Sequence, residues 1–169
     1  MAHPDKPLQK NQVFEKAIES ITSSMRIRYV DDGRPWGGFL VIDEEDNDVF
    51  IKRFFPQFAE QLSNSISKLS PKILLVAPNS RLSWQYHHRR AEIWKVLDGA
   101  VDVVTSDDDE EKHTRHLKEG DIIELRQGER HRLVGLDDWG VIAEIWMHTD
   151  ANNPSNEEDI VRVQDDFGR

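Results

Sequence analysis

"RLSWQYHHRRAEIWKVLDG", residues 81–99, sets Gln85, His87, His88 and Glu92 within eight consecutive residues. Side chains on a strand alternate between its faces. Gln85 and His87 therefore share one face, and Tyr86 and His88 the other. On the segment that follows, Glu92, Trp94 and Val96 share a face. If the two segments pair, Gln85, His87 and Glu92 converge while His88 stays outside. A fourth group has to come from elsewhere, and His131, which opens "HRLVGL", is the candidate. Two imidazoles, a carboxylate and an amide oxygen suit a borderline divalent ion, zinc first, with manganese, iron or nickel as alternatives. The competing reading is a polar strand whose His and Gln are surface or hydrogen-bonded core residues.

The rest of the chain supplies a setting of short strands. From Ser70 onward apolar runs alternate with turn residues: "KILLVAPNS", "EIWKVLDG", "AVDVVTS", "GDIIELRQGE", "HRLVGL", "GVIAEIWM". That spacing predicts an all-β sandwich or barrel. Asp98-Gly99 between two such runs reads as a hairpin turn. "SDDDEEKH" reads as a solvated loop. Ahead of this part, Val13, Phe14, Ala17, Ile18 and Ile21 fall at helical spacing. "RPWGGFLVID" reads as a strand. "VFIKRFFPQFAEQLSNSISKLS" reads as a short strand followed, after Pro56, by a helix on Phe58, Leu62, Ile66 and Leu69. The division expected is an N-terminal helical extension over 1–30 and one β domain over 31–169, with a helical insertion around 44–70 that closes as a lid over the barrel mouth.

Composition bounds the function classes. The chain has 169 residues, 22 Lys+Arg against 32 Asp+Glu, a net charge of -10 and no Cys. An acidic surface does not suit a general nucleic-acid binder. Without Cys there is neither a disulfide framework nor a thiolate metal site. No apolar run approaches the roughly 20 residues that span a bilayer, and "MAHPDKPLQKNQ" has no signal-peptide core. A cytoplasmic protein without membrane or nucleic-acid partners is the expectation.

The pattern Gln85-x-His87-x4-Glu92-x6-Gly99, followed by Gly120-x7-Gly128-x2-His131, resembles the two motifs of the cupin family. "RPWGGFLVI", "RLSWQYHHRRAEIW", "RHRLVGL" and "EEDIVRVQDDFGR" resemble the isomerase domain of type II mannose-6-phosphate isomerases. The chain departs from that pattern at Arg89 and Ile93, where the family carries His, and at Arg126 and Arg130, near which it carries Pro. No counterpart of the nucleotidyltransferase domain that often accompanies this module lies within these residues.

The resemblance implies a cupin jelly roll, a homodimer by analogy, and a metal-dependent aldose–ketose isomerase. Its substrate would be mannose 6-phosphate or a related aldose phosphate such as a heptose phosphate. The alternatives are an isomerase or epimerase of unphosphorylated sugars, and a non-catalytic sugar-binding cupin. Gln85, His87, Glu92 and His131 would hold the metal. Glu144 in "VIAEIW" resembles an acidic residue on a late family strand and is the candidate base, with Glu92 the second; the competing reading for Glu144 is a solvent-facing or ion-paired carboxylate. Arg81, Arg89 and Lys72 are candidate anion-docking groups, although arginines here have many acids to pair with. Trp94, in step with Glu92, is the candidate floor for a sugar ring, against a plain core role.

Overall fold

The computed structural model describes residues 6–65 and 68–169. Helix α1 (Lys10–Thr22) leads into strands β1 (Ile27–Arg34) and β2 (Gly37–Ile42). Helices α2 (Asn47–Phe54) and α3 (Ala59–Ser63) follow. The remaining strands are β3 (Leu69–Val76), β4 (Trp84–Tyr86), β5 (Arg90–Asp98), β6 (Ala100–Ser106), β7 (His113–Lys118), β8 (Ile122–Leu125), β9 (Arg130–Gly135), β10 (Gly140–His148) and β11 (Val161–Gln164). They form one six-stranded sheet in the order β1-β2-β3-β10-β5-β8 and one five-stranded sheet in the order β11-β4-β9-β6-β7. The pairings are antiparallel throughout, so the all-β expectation holds.

Alternation on the six-stranded sheet divides the core in two. Phe39, Leu74, Val76, Trp94, Val96 and Ile142 face the five-stranded sheet and meet Val101, Val103, Leu117 and Leu133. Leu40, Ile42, Ile73, Leu75, Ile93, Ala143 and Ile145 face the other way and pack under α1 and α2 through Val13, Phe14, Ile21, Phe50, Ile51 and Phe54. Burial of each such side chain contributes about 1.5–3 kcal/mol, and without the helices the second face would lie open to water. Lys72, Glu92 and Glu144 share the inward parity of the first set.

Three expectations change. "VFIKRFF" is helical, not a strand: a short apolar run reads either way by period alone. Phe50, Ile51 and Phe54 fall on one helical face, with Asp48 in the first turn and Lys52 and Arg53 in the last, which complements the helix dipole. After Pro56 the helix is only Ala59–Ser63, and Leu69 already belongs to β3; Ile66 lies outside the described residues. The insertion is not a lid. Phe50, Ile51, Phe54, Phe55 and Leu62 cover the outer face of the six-stranded sheet, because that face is a continuous apolar surface that needs a cover.

The Asp98-Gly99 turn joins β5 to β6 as read. Gly99 has φ +72°, and a Cβ there would lie 2.3 Å from the Trp139 carbonyl oxygen. Gly99→Ala combines a left-handed conformation with a backbone clash. A loss of about 1–3 kcal/mol from the strain alone is expected in denaturant unfolding, and an unchanged midpoint would refute this account of the turn.

Candidate metal centre

Gln85 on β4 lies opposite His131 on β9 in the register of the five-stranded sheet. His87 follows just beyond β4, and Glu92 comes from β5 on the opposing sheet. All four are buried, and His88 is exposed. His87 Nε2 lies 3.4 Å from Glu92 Oε1, and His131 Nε2 lies 3.6 Å from Glu92 Oε2. The Gln85 amide end stands 3.5 Å from each Nε2. Four donors each about 2.1 Å from a tetrahedral ion would be spaced about 3.4 Å from one another, so the spacing fits one.

The proton bookkeeping points the same way. His87 Nδ1 donates to the Asp159 carbonyl at 2.7 Å, and His131 Nδ1 donates to the Glu129 carbonyl at 3.0 Å. Each bond fixes the tautomer that leaves Nε2 bare and aimed inward. Burial holds both imidazoles below their ordinary range, His87 at about 3, so both are neutral at neutral pH. Burial pushes Glu92 upward, but the Arg90 guanidinium and the two imidazoles outweigh it and hold it at about 2. Among the described residues Glu92 Oε2 has no hydrogen-bond partner. Three unprotonated acceptors thus face one point, an arrangement that a cation satisfies. The described residues contain this His87–Glu92–His131 group as a possible metal holder.

The amide of Gln85 fits with one adjustment. Its Oε1 accepts from Ser83 Oγ at 2.6 Å, with Nε2 turned to the imidazoles. The reverse orientation presents the oxygen inward, while the hydroxyl of Ser83 can accept as readily as donate.

Arg90, one of six arginines flanking the candidate ligands in the sequence, has a role in the centre that the sequence did not single out. Parity counted forward from His87 favours Arg89. The chain, however, leaves β4 at His87 and restarts alternation at Arg90, in step with Glu92 and Trp94. Arg89 is therefore turned away, bonded to the Asn153 carbonyl at 3.1 Å and 3.8 Å from Asp159. Arg90 is buried, donates to Glu92 Oε1 at 2.8 Å and approaches His87 Nε2 at 3.2 Å. Ser155 Oγ and the carbonyls of Asn156 and Asp159 receive its other donors, and the Trp146 ring lies 3.5 Å beneath it. Asp159 also accepts from the backbone N–H groups of His88 and Arg89. The segment before β11 thereby fixes the loop that carries His87.

Arg81 is likewise engaged elsewhere, with Asp166 at 2.7 and 2.9 Å. Lys72 does enter the cavity. It is buried, its ammonium lies 3.8 Å from the Trp146 ring centroid and 4.6 Å from that of Phe39, and it pairs with Glu157. Arg34, Arg162 and Arg169 line the same cavity. The last two lie in the C-terminal stretch that carries part of the family resemblance, which was the available signal.

Glu144 is not on the surface. Its carboxylate accepts from the Trp94 indole at 2.6 Å and from the Trp146 indole at 2.7 Å. Burial and the nearby charge of Glu92 push it up to about 8. Trp94 lines the same cavity and is almost fully buried; its indole donates to Glu144 and its ring makes an edge contact with His131 at 5.4 Å.

Two antiparallel sheets closing over a buried His–Glu–His group define a cupin. A family model described as mannose-6-phosphate isomerase C-terminal matches residues 60–165, and the chain belongs to that family. Xanthan biosynthesis protein XanB of Xanthomonas campestris pv. campestris (strain B100) is 32% identical over 136 residues, which is 80% of this chain and 23% of that protein. Alginate biosynthesis protein AlgA of Pseudomonas aeruginosa is 27% identical across 100% of this chain and 29% of its own length. Mannose-1-phosphate guanylyltransferase 2 of Escherichia coli O157:H7 is 23% identical over 92% of this chain and 27% of its own. The chain thus spans about a quarter of these relatives' length. Among solved structures, KdgF from Halomonas sp. matches 74% of this chain and 91% of its own, with a TM-score of 0.50 and 13% identity. A Bacillus subtilis oxalate decarboxylase variant matches 83% of this chain and 30% of its own at TM-score 0.54 and 13% identity. These two likenesses concern the fold. Among the described residues no helix is long and apolar enough to cross a membrane.

Proposed function

We propose that this domain is a metal-dependent aldose–ketose isomerase acting on mannose 6-phosphate or a closely related aldose phosphate. One observation carries the reading: a buried carboxyl at about 8, Glu144, shares a cavity with three unprotonated acceptors and several cations. Family membership and relatives named for mannose-phosphate and polysaccharide chemistry support it. Gln85, His87, Glu92 and His131 would hold the ion, and zinc suits their nitrogen and oxygen donors. When bound, such an ion acts as a Lewis acid on substrate oxygens.

The chain's own groups provide the rest. An isomerase moves a proton between adjacent carbons through an enediol, and the group that shuttles it works best with a pKa near the operating pH. Glu144 meets that condition, and the two indoles fix its orientation. Glu92 does not, because Arg90 keeps it ionised and its free oxygen faces the imidazoles. Lys72, Arg34, Arg162 and Arg169 would receive the phosphate.

Purification with metal analysis, then a coupled assay on a panel of aldose phosphates and free sugars, tests the reading. About one divalent ion per chain and turnover of an aldose phosphate are expected. A loaded but inert protein would instead be a sugar-binding module, and turnover of free sugars alone would remove the phosphate from the proposal.

A further inference from the structure

The cavity beside the centre has about 90 Å³ of free space. That is room for a few waters and falls below the roughly 300 Å³ at the lower end for small-molecule clefts. A sugar phosphate enters only if part of the wall moves. Glu157 is one exposed wall residue with the means to do so, beside Arg162 and Arg169, and the one that is anionic. Its side chain is 55% exposed, whereas that of its partner Lys72 is 6% exposed. The ammonium is held between the Phe39 and Trp146 rings. Glu144, across the strand from Lys72, has both oxygens taken by the indoles. Among the described residues, Glu157 supplies the carboxylate that pairs with Lys72.

We infer that Glu157 is a tethered stand-in for the anionic group of the substrate. It occupies the oxyanion position of Lys72 when the site is free and yields it when a phosphate arrives. The carboxylate thereby keeps a buried ammonium paired between turnovers, and every bound anion must displace it. This inference rests on the anion-docking part of the reading above and not on the isomerase chemistry.

Calorimetric titration of the full chain with inorganic phosphate, and separately with mannose 6-phosphate, reads the competition directly. Glu157→Gln and Glu157→Ala are expected to bind phosphate up to about fivefold more tightly than the parent, the upper end for loss of a partly exposed ion pair. Lys72→Met should bind more weakly than the parent. Adding Glu157→Gln to Lys72→Met should bring no gain. Unchanged or weaker binding by both Glu157 variants, a gain that persists without Lys72, or no phosphate binding by any protein would each overturn the inference. Thermal unfolding of every variant confirms that the comparison is between folded proteins. A gain in phosphate affinity in a protein with no isomerase activity would leave this inference standing and remove the isomerase. Isomerase activity with unaltered phosphate affinity would do the reverse.

Discussion

Glu92→Gln is expected to abolish cation binding at the proposed centre while the fold survives. The amide keeps the shape of the carboxylate and its contact with Arg90, but it removes the one negative charge among the four groups that would hold an ion. Loss of a supporting hydrogen bond around such a site already costs ten- to a hundredfold in affinity, so loss of the charged donor itself should cost at least about a hundredfold. Metal analysis after dialysis reads this directly, and the assay should fall with it. Glu92→Ala should do more. Both variants leave the buried Arg90 guanidinium without its carboxylate, but the Ala variant also removes the oxygen that accepts from Arg90 Nε. It should therefore come closer to the about 3–5 kcal/mol lost when one partner of a buried ion pair is removed. The two variants therefore separate the residue's two tasks: equal loss of metal, unequal loss of stability. Full metal content in the Gln variant would dismiss the centre as described. Equal stability of the two variants would show that Arg90 does not depend on the oxygen that Glu92 presents.

Strand parity made much of this centre legible. Gln85 and Glu92 could be placed on facing surfaces because alternation is a property of the backbone, and His87, the residue just past β4, keeps to the same side. The same rule failed two residues later. His87, His88 and Arg89 lie between β4 and β5, and parity cannot be carried across residues that are not extended. Asp159 and Glu157 were hidden for a different reason. Each acts through a contact between segments far apart in sequence, with 69 residues separating Arg90 from the Asp159 carbonyl, and a single chain read in order does not show which loop returns to which strand. The insertion was misplaced because its apolar residues announce burial but not the face to be covered. Only the outward set Leu40, Ile42, Ile73 and Leu75, read against the inward set, decides that.

Glu144→Gln is expected to separate proton transfer from metal holding. The amide oxygen can still accept from one of the Trp94 and Trp146 indoles while its NH2 faces the N–H of the other, so the variant loses one hydrogen bond as well as the ability to carry the proton. Turnover should fall about 10²- to 10⁴-fold, the usual contribution of a general acid–base group, with metal content unchanged. A second signature needs no substrate. The side chain has an ordinary value of 4.5 and sits at about 8 in the folded protein. Below about 4.5 both folded and unfolded chains keep the proton, and its stabilising contribution is complete. Between these values the unfolded chain releases a proton that the folded chain retains. That contribution then declines as pH rises, by up to about 1.4 kcal/mol for each pH unit. Above about 8 the contribution is gone. The buried imidazoles of His87, His131 and His148 are held below their ordinary range and add stability as pH rises toward about 6.5, so the Glu144 contribution is read as the difference between parent and Glu144→Gln. Denaturant unfolding of the chelated proteins should show that difference falling, to the parent's disadvantage, as pH rises from about 4.5 to about 8. The chelator is essential, since a divalent cation in the same cavity would favour the ionised carboxylate and move the decline to lower pH. A variant that keeps its turnover would transfer the proton to another group, and a variant that keeps the slope would assign the titration to another residue.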